Sequence, residues 1–184
     1  MSIVQAIVLG VVQGATEFLP ISSTAHLVLV PRLLGWNLDP DVRNVFNVLI
    51  QVGTILAAAV YFRRDWWKIL KASTWVLRRR GSYDTEYARL GWMIVLATVP
   101  SAIFGLLMKG VFEELLGNAH GVAFLLIVTA GLLVLGERFT GKSKRGLGNL
   151  TWIDAVVIGL FQALAILPGI SRSGSTVSAG LLRG

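Results

Sequence analysis

The sequence predicts an all-α polytopic membrane protein, a single membrane domain over 1–184. It is built on an inverted-topology repeat, with two re-entrant helix–loop–helix hairpins meeting near the bilayer midplane. Three observations carry this expectation. The 184 residues are 54% hydrophobic and only 15% charged, too apolar for an ordinary soluble domain. Segments 1–16, 44–62, 90–108 and 115–136 contain no Asp, Glu, Lys or Arg, and the last three are long enough for spanning helices, which need about 20 apolar residues. Finally, Gly10, Gln13, Leu19, Pro20, Ile21 and Ser22 find counterparts in Gly159, Gln162, Leu167, Pro168, Ile170 and Ser171, with Gly169 as one extra residue. A repeat that preserves such unusual residues points to duplicated architecture.

The first hairpin occupies 1–36. An apolar helix over 1–16 reaches Glu17, and Pro20 disfavours helical geometry at Leu19. Ser22, Ser23 and Thr24 then offer N-caps for a second helix over about 24–34, too short to cross. Non-helical backbone at membrane depth survives only where protein buries it or a wet cavity receives it. The N-terminal run has neither a basic n-region nor a small-residue cleavage site, so no removable signal peptide is expected.

A loop over 31–43 leads into the first full span, 44–62. Asn47, Gln51 and Thr54 share one face of it, and Asn47 and Gln51 read as helix-packing groups. Segment 63–89 holds eight basic residues against three acidic ones, interleaved with Trp66, Trp67 and Trp75. This suits an amphipathic cytoplasmic segment. Segment 90–108 spans again, with Pro100 a kink candidate. Loop 109–114, with Lys109, Glu113 and Glu114, marks the outer side. Segment 115–136 returns to loop 137–149, where Arg138, Lys142, Lys144 and Arg145 outnumber Glu137. The second hairpin, 152–184, follows. Only eight residues remain after Thr176, so the chain reads as cut inside that hairpin's return helix.

Three spans separate the hairpins, an odd number, so they enter from opposite faces. The first enters from outside, because 44–62 must end at the basic loop. Broken helices in inverted repeats recur in transporters, with the site at the repeat interface.

Composition also excludes. The net charge of +7 does not indicate nucleic-acid binding, because the basic residues concentrate in the two loops that set topology. With no cysteine, no thiol or disulfide chemistry is available. No Gly-x-x-x-x-Gly-Lys-Ser/Thr occurs, so there is no nucleotide P-loop.

The two breaks concentrate the polar groups. Gln13, Glu17, Ser22, Ser23, Thr24 and His26 come from one; Ser171, Arg172, Ser173, Ser175 and Thr176 from the other. Gln13 and Glu17 share a helical face, as do Ser23 and His26. Arg172 lies between Gly169 and Gly174, in a Gly/Ser-rich turn suited to an anion nest. Arginine adds bidentate phosphate recognition. An anion clamp, a nucleophile candidate, an imidazole and a carboxylate within the membrane suit phosphoryl transfer from a lipid phosphate.

These residues resemble those of the bacitracin-resistance type of undecaprenyl-diphosphate phosphatase. The family's Glu/Gln-x-x-x-Glu-Phe-Leu-Pro-x-Ser-Ser-Thr-x-His is similar to 13–26, its Pro-Gly-x-Ser-Arg-Ser-Gly-x-Thr to 168–176, and its third span to 46–54. The resemblance covers the whole chain. It implies hydrolysis of undecaprenyl diphosphate to undecaprenyl phosphate and phosphate, recycling the carrier for peptidoglycan, in the bacterial plasma membrane with the site open to the periplasmic side. It assigns Glu17, Ser23, His26 and Arg172 to catalysis. It places Gln13, Ser22, Thr24, Gly169, Ser171, Ser173, Gly174 and Thr176 around the substrate. It also implies a divalent cation, Mg²⁺ or Ca²⁺, at Glu17, and is compatible with a homodimer. Position 13 is Gln where many members carry Glu, which removes one carboxylate from a two-carboxylate metal site. The competing expectation is a polyprenyl-phosphate transporter or flippase, which the inverted repeat alone would suit.

Overall fold

The computed structural model describes residues 1–79, 85–140 and 145–184, without the side chains of Leu77, Arg78, Arg79, Lys109 and Glu113. Arg80, Asp84, Lys142 and Lys144, counted above in the basic loops, lie outside the described residues.

Helix α1 (Ile3–Phe18) starts at a capping box. The Ser2 hydroxyl accepts from the Gln5 amide at 3.2 Å, and the Gln5 side chain accepts from the Ser2 amide at 2.8 Å. It stops where Pro20 dictates, with Leu19 already extended at φ −68°, ψ 135°. Helix α2 (Ser23–Leu33) follows after four residues and runs through Pro31. The expected loop over 31–43 is therefore shorter: Pro31 lies in the last turn of α2, and the chain leaves the helix only at Leu34. Pro40 opens α3 (Pro40–Tyr61) at a position suited to its fixed φ, behind the Asp39 cap.

Helix α4 (Arg63–Arg79) occupies the basic segment, with Trp66, Trp67 and Trp75 exposed. Helix α5 (Glu86–Leu107) continues through Pro100. The expected outer loop over 109–114 is instead helix α6 (Lys109–Gly117). Asn118 separates it from α7 (Ala119–Glu137) by accepting from the His120 and Gly121 amides. A hydropathy window fuses these elements, because Leu115 and Leu116 at the end of α6 run across the cap into the apolar α7. Helix α8 (Trp152–Leu164) begins at a second capping box, Thr151 with Asp154, and α9 (Arg172–Arg183) begins at Ser171.

Helices α3, α5 and α7 are long and apolar enough to cross a membrane, yet only 6%, 6% and 17% of their most apolar windows are buried within the chain. Such outward apolar surface belongs against lipid or further protein. Helix α1 runs parallel to α3. Gly10 lies beside Ile50, and Phe18 shares a groove with Ala57 and Ala58. Helix α8 packs on α5 at Gly159, where an added Cβ would meet the Ala97 carbonyl oxygen at 2.5 Å. A small core of Ala25, Val28 and Val122 fastens α2 to α7.

A polar clasp closes the foot of α8 and α9. The Asp154 carboxylate, 2% exposed, accepts from Arg145 Nη2 at 2.7 Å and from Arg183 Nε at 2.6 Å. It also accepts from the Thr151 amide and hydroxyl. Chiefly through Arg145, this holds the Asp154 carboxyl well below the usual carboxylate range, despite the opposing effect of burial. The sequence reading gave Arg145 only a topological role, because Asp154 and Arg183 lie nine and 38 residues away.

Candidate active site

Both breaks face one cavity of about 310 Å³. Glu17, Phe18, Ser22, Ser23 and Thr24 line it from the α1–α2 turn. Ile170, Ser171, Arg172, Ser173 and Thr176 line it from the α8–α9 turn. The two turns meet directly, since an added Cβ on Gly174 would lie 3.1 Å from the Pro20 carbonyl oxygen.

In the first turn, Glu17 is the hub. Its Oε2 accepts from Ser23 Oγ at 2.5 Å and from Gln13 Nε2 at 2.9 Å. The first distance is that of a charge-assisted hydrogen bond. Ser23 is thus paired with Glu17 rather than with His26, its expected neighbour on the helix face. His26 donates from Nδ1 to the Ser22 carbonyl at 2.8 Å, since a carbonyl can only accept, and this leaves Nε2 without a proton in the neutral ring. His26 stands beside the cavity and does not line it. Gln13 is 1% exposed and lies behind Glu17, its Oε1 unpartnered among the described residues.

Ser22 caps α2 from an unusual backbone, φ 67° and ψ 92°, in the left-handed range that a side chain disfavours. The strain turns the chain sharply enough to bring Ser23 back over Glu17, six residues earlier.

The second turn is tied down differently. Thr129, in the middle of α7, donates to the Gly169 carbonyl at 2.9 Å and accepts from the Ser171 amide at 3.0 Å. The Ser171 hydroxyl accepts from the Gly174 amide at 3.1 Å and shares a hydrogen bond with Ser173. Gly169 does not line the cavity. With φ +115° it presses on α7, where a Cβ would meet Val122 O and Leu125 Cβ at 2.6 Å each. The expected nest between Gly169 and Gly174 is therefore largely used internally. The amides left without an intrahelical partner at the start of α9 are those of Arg172 and Ser173. Arg172 is exposed on the cavity wall, and its guanidinium makes no hydrogen bond among the described residues. Thr176 lines the wall while its hydroxyl donates to the Arg172 and Ser173 carbonyls.

Three residues were not foreseen as part of this site. Gln51, read as packing glue, lines the cavity from the middle of α3. Gln162, seen only as a repeat match, lines it from α8 and donates to Ser101 Oγ at 2.9 Å. Thr129 was given no role and lay unremarked within the span over 115–136. The polar stripe through Asn47, Gln51 and Thr54 was the available signal for Gln51.

No cluster of three metal-ligating side chains occurs among the described residues. Glu17 alone supplies a carboxylate, with hydroxyl and amide oxygens around it. That donor set fits a hard cation shared with phosphate oxygens, and not an all-protein cage.

An all-α integral membrane protein is thus defined, with an internal polar cavity that faces a carboxylate–serine pair with a free arginine at a helix N-terminus. Residues 6–184 match the family described as bacitracin resistance protein BacA, and the chain belongs to that family. It is 43% identical over its whole length to an undecaprenyl-diphosphatase of Chlorobaculum tepidum, 44% identical to undecaprenyl-diphosphatase 1 of Pseudoalteromonas translucida, and 43% identical to an undecaprenyl-diphosphatase of Myxococcus xanthus. It spans 66%, 67% and 61% of those relatives.

Proposed function

We propose that the protein is an integral-membrane phosphatase that hydrolyses undecaprenyl diphosphate to undecaprenyl phosphate and inorganic phosphate. The observation that carries this reading is the 2.5 Å bond from Ser23 Oγ to Glu17, facing Arg172 across one cavity. Similarity to undecaprenyl-diphosphatases supports it over a transporter or flippase.

Arg172 and the amides at the start of α9 bind the diphosphate and neutralise developing charge on the terminal group. Ser23 Oγ attacks the terminal phosphorus as its proton passes to Glu17. An Oγ–P bond forms, the bridging P–O bond breaks, and the lipid monophosphate leaves. Water then attacks the phosphoserine. Ser23 Oγ recovers the proton from Glu17, and the protons of the water stay with the released phosphate. His26, anchored through Nδ1, keeps Nε2 available to orient that water. Glu17 together with the substrate's phosphates would hold a Mg²⁺ or Ca²⁺ ion, which supplies charge neutralisation when bound.

The membrane placement follows the same reading. Helix α3 is 22 residues long, and Gln51, near its midpoint, lines the cavity, which supports a re-entrant α1–α2 hairpin with its break near mid-depth. The matching serine caps at Ser22 and Ser171 support an inverted pair. The basic start of α4 supports a cytoplasmic end for α3, hence a cavity open to the outer side of the bacterial plasma membrane.

The test is phosphate release by the purified, detergent-solubilised protein given undecaprenyl diphosphate. The Ser23→Ala variant is expected to lose about 10³-fold or more in kcat. Wild-type turnover in that variant would discard the phosphoserine in favour of direct attack by water.

A further inference from the structure

We infer that the isoprenoid tail of the substrate lies in a groove between α1 and α3, lined by Phe18, Ala57, Ala58, Tyr61 and Phe62. This rests on the phosphatase reading above and names where that site keeps the rest of its lipid.

The groove has a volume of about 410 Å³, and its lining residues present only apolar side chains apart from the rim hydroxyl of Tyr61. Its composition is specific. Ala57 and Ala58 form a shallow floor on α3, while Phe18, Tyr61 and Phe62 stand up as walls. Tyr61 and Phe62 pack edge to face at 4.8 Å, which fixes the far wall. Phe18 and Tyr61 are 56% and 78% exposed, so nothing among the described residues fills the space.

Continuity selects the occupant. Phe18 lines both this groove and the polar cavity. It directly follows Glu17, so the ring borders the reacting end while the carboxylate faces the phosphate. A ligand that uses both spaces is a diphosphate joined directly to a long unsaturated hydrocarbon. The direction also agrees. From Gln51, on the cavity wall, to Phe62, at the groove's end, α3 rises about 16 Å. A lipid that enters head-first from the outer side would send its tail onward along α3 toward the opposite leaflet. Aromatic walls and a methyl-bearing floor suit the flat, branched repeat of an isoprenoid, through dispersion and π contacts.

The experiment compares kcat/KM for undecaprenyl diphosphate with that for geranyl diphosphate, in the same preparation of the solubilised protein. Filling the floor with Ala58→Phe is expected to lower the long-chain to short-chain ratio about tenfold, the scale on which a hydrophobic pocket discriminates. The milder Ala57→Leu should lower it in the same direction by less. A ratio is independent of the folded fraction, so poor expression of either variant leaves the test intact. A ratio within twofold of the parent in both variants overturns the assignment, and the groove is then covered by bilayer lipid or by another helix. Release of phosphate from neither lipid by the parent protein overturns the phosphatase reading, and the tail site with it.

Discussion

The two turns that face the cavity share a plan and divide the labour. Each follows an apolar helix and a Leu-Pro step, and each launches its return helix from a serine cap. The α1–α2 turn closes on itself: Glu17, Gln13 and Ser23 bond one another within eleven residues of chain. The α8–α9 turn is held from outside, by Thr129 of α7 on both sides of Ile170, and its arginine is left free. Where the first half places Glu17, the second has Ala165 and Ile166. On the proposed mechanism, reactivity sits in the half whose hydrogen bonds are local and whose backbone is strained at Ser22. On the same mechanism, charge recognition sits in the half whose backbone is braced by a neighbouring helix.

The largest expected effect breaks the reactive half. Glu17→Gln keeps the shape and the bond to Ser23 but removes the proton acceptor. A loss of about 10³-fold in kcat is expected, with a much smaller change in KM, read by steady-state phosphate release. A pure KM effect would move Glu17 from proton transfer to binding. In the braced half, Arg172→Ala should act on both parameters, lowering kcat/KM about 10²-fold or more. Arg172→Lys separates charge from geometry. It should recover only part of the loss, because a point charge cannot replace the planar fork against a phosphate. Full recovery in the lysine variant would mean that Arg172 supplies charge alone.

These contrasts also explain what was legible in the sequence. The spans, the charged segments and the convergence of the two polar breaks could be read from composition and repetition, because each is a pattern along the chain. So could the α1 stop at Leu19, a local clash with Pro20. Helix α6 was missed because its apolar Leu115 and Leu116 merge with the next span, and only the Asn118 cap divides them. Thr129 and the Arg145–Asp154–Arg183 clasp were missed because their partners are distant in sequence, where no short-range rule applies. The pairing of Ser23 with Glu17 instead of His26 depends on the φ of one residue, Ser22, and no residue type announces a left-handed serine.

A smaller effect tests the bracing at the other end of the α8–α9 hairpin. Asp154→Asn removes the negative charge shared by Arg145 and Arg183 and leaves one accepting oxygen where there were two. Since the aspartate is buried and the arginines are partly solvated, a destabilisation of about 2 kcal/mol is expected, below the full effect of breaking a wholly buried pair. The sign of the pH dependence follows from the depressed folded pKa. The clasp contributes fully above the unfolded carboxyl value of about 3.9. Its contribution is lost as pH falls from there toward the folded value. The parent's thermal midpoint in detergent should therefore drop more steeply on acidification below about pH 5 than that of Asp154→Asn. Parallel curves for the two proteins would show that the clasp does not couple to folding.

The smallest expected effect compares the two caps themselves. Ser171 has an ordinary extended cap geometry, φ −75° and ψ 125°, so Ser171→Gly loses the bond to Gly174 and relieves nothing. With the added backbone entropy of the unfolded chain, a destabilisation of about 1 kcal/mol is expected. Ser22→Gly loses a weaker cap bond, 3.4 Å to the Ala25 amide, and also releases the strain of a positive φ, worth about 1 kcal/mol. The two contributions oppose each other, and a net change within about 0.5 kcal/mol of zero is expected from denaturant unfolding in detergent. Activity should respond in the opposite order, because a glycine at 22 no longer favours the one conformation that returns Ser23 to Glu17. Equal destabilisation by the two substitutions would mean that Ser22 is held without strain, and the contrast between a strained reactive turn and a braced binding turn would fail at its first residue.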